Sequence, residues 1–374
     1  MPHQGHLPPK GSKIALGMSG GVDSSLCAHL LVEQGYEVTG VFLECWRAPG
    51  CRSEEDRADA LKVALSLGIP FRVLDFKEAY RQKVVESFFS EYEAGRTPNP
   101  DVLCNKEIKF GLFYDWAMAE GFAAVATGHY ARISQVDQEL HLAVPADTHK
   151  DQTYFLYLLR QEQLSHIVFP LQDLTKPQVR TEAKKRSIHV SDKKDSVGIC
   201  FIGDINVHGF LKDRLGENPG SVINTTGQVI GSHKGLWFYT IGQRHGFELL
   251  PSITETMPNG EQISKHLIPP FYVIEKRAKT NELVVGFGSQ AERVAFHIEA
   301  EHWIGKPPHS NQVQVRIRHT GKLLPATYDQ TTHTIFLEEP TKGVAAGQSA
   351  VCYQNVGDTL ICLGGGVISE KFGS

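Results

Sequence analysis

The 374-residue sequence lacks a long apolar run, since no stretch approaches the roughly 20 residues that a membrane-spanning helix needs. It also lacks the apolar core of a secretion signal near its start, where residues 1–10 carry prolines and histidines. We therefore expect a cytoplasmic protein without a membrane partner. The hydrophobic fraction of 41% is typical of a globular chain, and the length predicts two or three domains.

Cysteine is scarce and follows no framework pattern. The seven cysteines stand at positions 27, 45, 51, 104, 200, 352 and 362, an odd number without a Cys-x-x-Cys spacing. This argues against the disulfide framework of a small secreted protein and against a zinc ribbon, so no structural metal is expected. A net charge of −4 gives no overall attraction to nucleic acid. Any RNA binding would depend on local basic surfaces.

A glycine-rich turn follows the first apolar run. It comprises Gly17, Met18, Ser19, Gly20, Gly21, Val22, Asp23, Ser24 and Ser25, and an amphipathic segment follows it. Backbone N–H groups and serine hydroxyls at a helix N-terminus bind phosphate oxygens. The stretch lacks the lysine of a Walker motif and the glycine spacing of a dinucleotide motif. It resembles the PP-loop of the ATP pyrophosphatases, which cleave ATP between its α and β phosphates; an ordinary glycine turn of an α/β protein is the alternative.

The first half of the chain alternates strand and helix patterns. Strands are predicted at 14–16, 37–43, 71–76 and 123–129, with helices at 53–67 and from Lys176 to about Arg186. This alternation predicts an α/β domain with a parallel sheet. Because ligands bind at the carboxyl ends of such strands, we expect the glycine turn, Leu43 and Gly128 to border one crevice.

From Gly216 onward the pattern changes to turn dipeptides and short β-branched runs, which predicts domains of 1–215, 216–285 and 286–374. The later runs have the spacing of strands in a small antiparallel barrel, and they lie at 271–274, 283–285, 312–317, 334–337, 349–353 and 359–363.

Two cysteines lie in segments suited to thiol chemistry. Cys104 follows a proline-stiffened loop that holds Asn99, Pro100 and Asp101, and lysines come shortly after it. Nearby cations or a helix N-terminus lower a thiol pKa, and Asp101 could move a proton. The structural alternative is that Asp101 caps a helix and Cys104 is a buried small side chain.

The second segment carries Cys200 between Gly198 and Gly203, after Lys193 and Lys194. Such a position suits a thiol that collects a group and delivers it elsewhere, whereas a buried cysteine between apolar neighbours is the alternative. Two such cysteines can act together only if their Cα atoms come within about 7 Å.

The chain as a whole resembles the tRNA-uridine 2-sulfurtransferases, or 2-thiouridylases. The similar blocks run in order through residues 17–25, 95–105, 108–110, 126–132, 150–156, 169–171, 194–203 and 239–244. The resemblance implies a PP-loop domain of the adenine nucleotide alpha hydrolase type, a small central domain and a C-terminal antiparallel β-barrel. It further implies that ATP is used to adenylate the wobble uridine of tRNA, after which a cysteine persulfide supplies sulfur.

The resemblance also implies roles for individual residues. The catalytic residues would be Cys104, Cys200 and Asp101, with a transient disulfide between the two cysteines. ATP would bind to Gly17, Met18, Ser19, Gly20, Gly21, Val22, Asp23, Ser24, Leu43 and Gly128, together with Mg²⁺ that Asp23 would help to hold. The target base would meet Asn99, Pro100 and Asp101. The tRNA would contact His129, Lys150, Asp151, Gln152, Arg318, His319 and Gln348.

The partners that this resemblance implies are tRNA and a persulfide donor, either a cysteine desulfurase or a sulfur-relay protein. Two alternatives stay open. One is another PP-loop adenylating enzyme, such as an amide-forming synthetase, which would need neither thiol. The other is a nucleotide-regulated RNA-binding module without catalysis.

Overall fold

The computed structural model describes residues 7–47, 52–136, 138–194, 207–251, 254–256, 262–264, 269–308 and 310–369. Among these residues, every helix is too short or too polar to span a membrane.

The N-terminal part of the chain is an α/β domain. Its strands are β1 (Lys13–Gly17), β2 (Glu37–Glu44), β3 (Phe71–Asp75), β4 (Ala124–Ala126), β5 (Arg132–Val136), β6 (Glu139–Ala143) and β7 (Ile167–Val168). Its α-helices are α1 (Val22–Glu33), α2 (Ser53–Leu67), α3 (Lys77–Tyr80), α4 (Glu86–Glu93), α5 (Pro100–Leu103), α6 (Phe113–Ala119) and α7 (Lys176–Lys185). Two π-helical segments, Arg81–Val85 and Cys104–Leu112, connect α3 to α4 and α5 to α6.

Five of these strands form a parallel sheet in the order β3-β2-β1-β4-β7. The central strands β1 and β4 are short runs of buried apolar residues, as expected for a sheet covered by helices on both faces. The chain adds β2 and β3 on one side of β1 and β4 on the other. The strand order therefore changes direction at β1. In open α/β sheets ligands bind in the crevice at such a point, so the topology agrees with the predicted location of the crevice.

A central domain follows helix α8 (Val207–Leu215). Its strands are β8 (Gly220–Ile223), β9 (Val229–His233), β10 (Glu248–Leu249), β11 (Thr254–Thr256), β12 (Gln262–Ser264), β13 (Tyr272–Arg277) and β14 (Glu282–Gly286). Five of them form a sheet in the order β10-β9-β8-β14-β13. The runs at 271–274 and 283–285 therefore belong to this sheet and not to the later barrel, because β14 pairs in parallel with β8.

The last part of the chain is an antiparallel barrel. Its strands are β15 (Glu292–Trp303), β16 (Gln312–Arg316), β17 (Leu324–Asp329), β18 (Thr334–Lys342), β19 (Ser349–Val356) and β20 (Thr359–Ile368). The long strand β15 pairs with β18 along its first half and with β20 along its second half, which closes the six strands into a barrel. The predicted three-domain fold is thus confirmed, while the domain ends at 215 and 285 stay a prediction.

The α/β domain contributes a hairpin to the barrel. Strands β5 and β6 pair with each other, and β6 joins the edge of β20 through the bridge between Ala143 and Ile361. Side chains from both domains share one hydrophobic core, including Leu142, Tyr154 and Tyr353. The loops that follow β6 are therefore held against the barrel.

Candidate active site

The glycine turn after β1 closes tightly onto the start of α1. The Ser19 N–H donates to Ser24 Oγ at 3.1 Å, and Ser25 Oγ donates to the Gly21 carbonyl at 2.8 Å. Gly20 has a φ of +72°, and a Cβ at this position would lie 2.1 Å from the carbonyl oxygen of Asp56. The turn therefore requires glycine here for both its backbone conformation and the approach of α2.

Replacing Gly20 with alanine should lower the rate of pyrophosphate release from ATP at least about tenfold, because the turn must shift away from α2 and loses its phosphate-binding shape. Gly35→Ala is the matched control, since Gly35 also has a positive φ but an added Cβ there meets no atom within 4 Å. Equal rates for the two variants would contradict the role assigned to the turn.

Two further predicted residues, Gly128 and Leu43, lie beside this turn. Gly128 follows β4, and a Cβ added to it would lie 3.0 Å from the backbone nitrogen of Ser24. Leu43 is partly buried near the end of β2, the strand next to β1. The carboxyl ends of β1, β2 and β4 thus bring the glycine turn, Leu43 and Gly128 to one edge of the sheet, as the sequence predicts.

Asp23, in the first turn of α1, makes contacts that sequence reasoning missed. Both of its carboxylate oxygens accept hydrogen bonds from the Lys176 ammonium at 2.8 Å, and the Tyr130 hydroxyl donates to Oδ1 at 2.8 Å. Because a buried cation already neutralises this carboxylate, Asp23 is poorly suited to the predicted role of magnesium ligand. No local pattern points to Lys176 as its partner, since the two residues lie 153 positions apart.

Lys193 is bound to the glycine turn. Its ammonium donates to the Gly20 carbonyl at 2.9 Å and to the carboxylates of Asp56 and Asp59 at 2.7 Å. Burial opposes its charge, but the hydrogen bonds to the two carboxylates outweigh burial and raise the pKa of Lys193. Lys193 therefore binds the glycine turn and the two carboxylates of α2. Cys200 itself lies outside the described residues.

The loop of residues 97–99, here called the Thr97 loop, is held by the barrel and by the central domain. From the barrel, the Ala346 carbonyl accepts from the Thr97 N–H at 3.0 Å, and Gln348 Nε2 donates to the Thr97 carbonyl at 2.7 Å. From the central domain, the Lys276 ammonium lies 3.4 Å from Thr97 Oγ1 and 3.1 Å from the Tyr239 carbonyl. These contacts fix the position from which the loop enters α5.

The Thr97 loop ends at Asn99, which occupies the N-cap position of α5, and Pro100 begins the helix. Asp101 is therefore in the first helical turn and is not the cap, which corrects the structural alternative. The Asn99 side chain hydrogen-bonds to the hydroxyl of Tyr154, and that hydroxyl donates to the Ser349 carbonyl at 2.9 Å. Burial is the main cause that raises the pKa of Tyr154, so it remains a neutral hydrogen-bonding group.

Cys104 begins the π-helical segment after α5 and is only 2% exposed. It lies in a hydrophobic cluster with Tyr80 and Phe88, and Val207 and Phe210 pack against the same cluster from α8. The burial agrees with the alternative in which Cys104 is a small core residue. The same cluster thus receives side chains from the Cys104 segment and from α8, the helix that follows the Cys200 segment.

One chain of contacts joins the Cys104 helix to the glycine turn. Lys109, on that helix, has its ammonium 3.4 Å from His129 Nε2, and the Thr127 hydroxyl lies 2.8 Å from His129 Nδ1. His129 follows Gly128, which touches Ser24. Burial, followed by the charge of Lys109, holds the pKa of His129 well below its usual range, so the imidazole is neutral at pH 7.

The residues predicted to contact tRNA fall into three groups: exposed, buried and partly buried. Lys150 and Arg318 are exposed cations. His129 and Asp151 are buried, and Asp151 accepts a hydrogen bond from Arg316 at 2.7 Å. Such buried side chains can support an RNA-binding surface from beneath, but in this structure they are not exposed on it.

The remaining predicted contacts are partly buried. The side-chain oxygen of Gln152 accepts a hydrogen bond from the Tyr130 N–H at 2.9 Å. Gln348 holds the Thr97 loop. The ring centroids of His319 and Phe155 are 4.2 Å apart. Burial lowers the pKa of His319. Their direct contact with tRNA stays a prediction.

Comparison with protein families accounts for nearly the whole chain. Residues 12–204 match a family model described as a tRNA methyl transferase HUP domain, residues 208–287 a tRNA methyl transferase PRC-barrel domain, and residues 293–368 an aminomethyltransferase beta-barrel domain.

Individual relatives agree over the same length. The tRNA-specific 2-thiouridylase MnmA of Nitrosomonas europaea is 42% identical over 369 residues, which cover 96% of this chain and 98% of that protein. The proteins of the same name from Pseudomonas fluorescens and Bacillus cytotoxicus are each 41% identical; their alignments cover 95% and 98% of this chain, and 94% and 97% of those proteins.

Proposed function

The chain belongs to the tRNA-specific 2-thiouridylase family, and from this premise we propose that it catalyses ATP-dependent 2-thiolation of the wobble uridine of tRNA in the cytoplasm. The observation that supports this most directly is the contact chain from the glycine turn through Gly128, His129 and Lys109 to the Cys104 helix. It connects the glycine turn to the helical segment that begins at Cys104.

The first step is adenylation of the base. ATP binds with its phosphates on residues 17–24 and with its adenosine between Leu43 and Gly128. Asp101 accepts the N3 proton of uridine, which places negative charge on O2. The O2 atom then attacks the α-phosphate, so that a bond from O2 to phosphorus forms and the bond to the pyrophosphate oxygen breaks. Mg²⁺ bound to the phosphates would offset the charge of the leaving pyrophosphate.

The second step is sulfur transfer. A donor of the cysteine desulfurase or sulfur-relay class loads Cys200 as a persulfide, and the terminal sulfur attacks C2 of the activated base, from which AMP leaves. The Cys104 thiolate then attacks the Sγ atom of Cys200. The bond between the two sulfurs of the former persulfide breaks, 2-thiouridine is released, and a Cys104–Cys200 disulfide forms. An external dithiol reduces this disulfide before the next cycle.

Pyrophosphate release with purified protein, Mg·ATP and tRNA tests the activation step. We expect release that depends on tRNA and needs no ammonia. Release that requires ammonia and ignores tRNA would favour the amide-forming alternative, and ATP binding without any turnover would favour a binding module.

A further inference from the structure

Two cations lie against one tyrosine ring where the central domain meets the barrel. The guanidinium carbon of Arg244 is 5.8 Å from the ring centroid of Tyr272, and the Lys342 ammonium is 4.8 Å from the same centroid. Arg244 and Tyr272 belong to the central domain, whereas Lys342 ends strand β18 of the barrel. We propose that these three residues, here called the seam platform, bind the phosphate backbone of the tRNA; this rests on the proposed function.

Only one of the two cations in the seam platform, Lys342, has a carboxylate partner among the described residues. Arg244 is exposed, and among the described residues no carboxylate lies within 4 Å of it; the nearest oxygen of Glu292 is 3.7 Å from Lys342. By contrast, Arg277, an exposed cation on the same strand as Tyr272, donates to Glu275 at 2.9 Å. Two cations gathered on one ring repel each other, and a bound anion relieves that repulsion.

The loop that carries Arg244 is fixed by hydrogen bonds. The Gly242 N–H donates to the Val273 carbonyl at 2.7 Å, and the Val273 N–H donates to the Gln243 carbonyl at 2.9 Å. The Gln243 side-chain nitrogen donates to the His245 carbonyl at 2.7 Å. Because this loop is already ordered beside Tyr272, phosphate binding there would require little further ordering of the backbone.

The seam platform adjoins a cation that the sequence assigns to tRNA binding. A Cβ on Gly242 would lie 3.2 Å from the Cα atom of Gly343, and a Cβ on Gly343 would lie 3.8 Å from a guanidinium nitrogen of Arg318. The backbones of the two domains thus touch at this point, and Arg318 continues the basic surface onto the barrel.

The seam platform is also near the Thr97 loop. Strand β13 carries Tyr272 and, four residues later, Lys276, which contacts Thr97. Four residues of strand span about 13 Å. A tRNA backbone bound at the platform would therefore pass close to the loop that receives the wobble base, and the platform forms only when both domains are in place.

The test is the tRNA affinity of Arg244→Ala, Lys342→Ala and their double variant as a function of salt, with Arg277→Ala as the matched control. We expect several-fold weaker binding for each single variant. The salt slope, which is the slope of log affinity against log salt concentration, should be smaller in magnitude by about 0.9 for each phosphate that the variant no longer neutralises. Arg277→Ala should match the wild type. Tyr272→Phe should retain affinity and Tyr272→Leu should lose it, because the ring holds both cations.

If Arg244→Ala and Lys342→Ala both bound tRNA with the affinity and the salt slope of the wild type, the proposal that the seam platform binds the tRNA backbone would be overturned. That result is distinguishable from failure of the proposed function, because the wild-type protein would still bind tRNA and form 2-thiouridine. A wild-type protein that binds no tRNA would instead contradict the proposed function and the platform together.

Discussion

Cys104→Ser should reduce 2-thiouridine formation more than about a thousandfold, because the serine hydroxyl cannot release sulfur from Cys200 by forming a disulfide. Pyrophosphate release in the first turnover should stay close to the wild-type rate, since ATP binds at the glycine turn and not at the thiol. The substitution nearly conserves the side-chain volume in a site that is 2% exposed, so the fold should persist. Single-turnover assays that follow both products in one reaction measure this separation.

Cys45→Ala is the matched control for this prediction. Cys45 packs against the same hydrophobic cluster as Cys104, but no sequence motif assigns it a chemical role. It should form 2-thiouridine at a rate close to that of the wild type. If Cys104→Ser thiolated tRNA as fast as Cys45→Ala, a second nucleophilic thiol in this cluster would be unnecessary and the sulfur-transfer step would have to be rewritten.

Arg316→Met should lower the free energy of unfolding by about 3–5 kcal/mol, because it leaves the Asp151 carboxylate buried without its cation. The pair has an N–O distance of 2.7 Å, and the side chain of Asp151 is 1% exposed. The same carboxylate accepts hydrogen bonds from the N–H and the hydroxyl of Thr153. Loss of the cation should therefore loosen the contact between the α/β domain and the barrel. Denaturant unfolding measures the change.

Two variants make this stability prediction specific. Lys185→Met removes an exposed partner of Glu182 and should change the free energy of unfolding by no more than about 0.5 kcal/mol. Combining Arg316→Met with Asp151→Asn should recover part of the lost stability, because the uncompensated charge is gone. A loss for Arg316→Met as small as that for Lys185→Met would show that the buried pair does not hold the two domains together.

The sequence predicts best those features that depend on local patterns. The buried runs of β1 and β2, the glycine turn between β1 and α1, and helix α2 with its stop at Gly68 are each specified by neighbouring residues. The turn in particular combines adjacent glycines with serines at a helix start, a pattern that few structures other than a phosphate site require.

The missed strands show where local patterns fail. Strand β15 reads Glu-Arg-Val-Ala-Phe-His-Ile-Glu-Ala-Glu-His-Trp, in which polar residues interrupt the apolar ones because the strand leaves one partner and pairs with another. Strand β17 contains Pro325, which weakens the strand pattern. The β5–β6 hairpin joins the edge of a strand more than 200 residues later, and no local signal specifies that pairing.

The residues of the site also divide into those that local sequence patterns predict and those that only the fold brings together. Predicted residues such as Ser24 and Gly128 do lie close together, because the glycine turn and Gly128 follow adjacent strands of one sheet. The bonds of Lys176 to Asp23 and of Lys193 to Gly20 join residues 153 and 173 positions apart. Only the folded chain shows that these lysines contact the glycine turn or its helix, and that Lys276 and Gln348 hold the Thr97 loop from two other domains.

Mass analysis of nucleosides from tRNA incubated with the protein, Mg·ATP, a cysteine desulfurase with cysteine as the persulfide donor, and an external dithiol tests the central claim most directly. We expect 2-thiouridine that appears only with ATP and maps to the wobble position. Unmodified uridine in that position, from protein that binds tRNA and hydrolyses ATP, would contradict the proposed reaction.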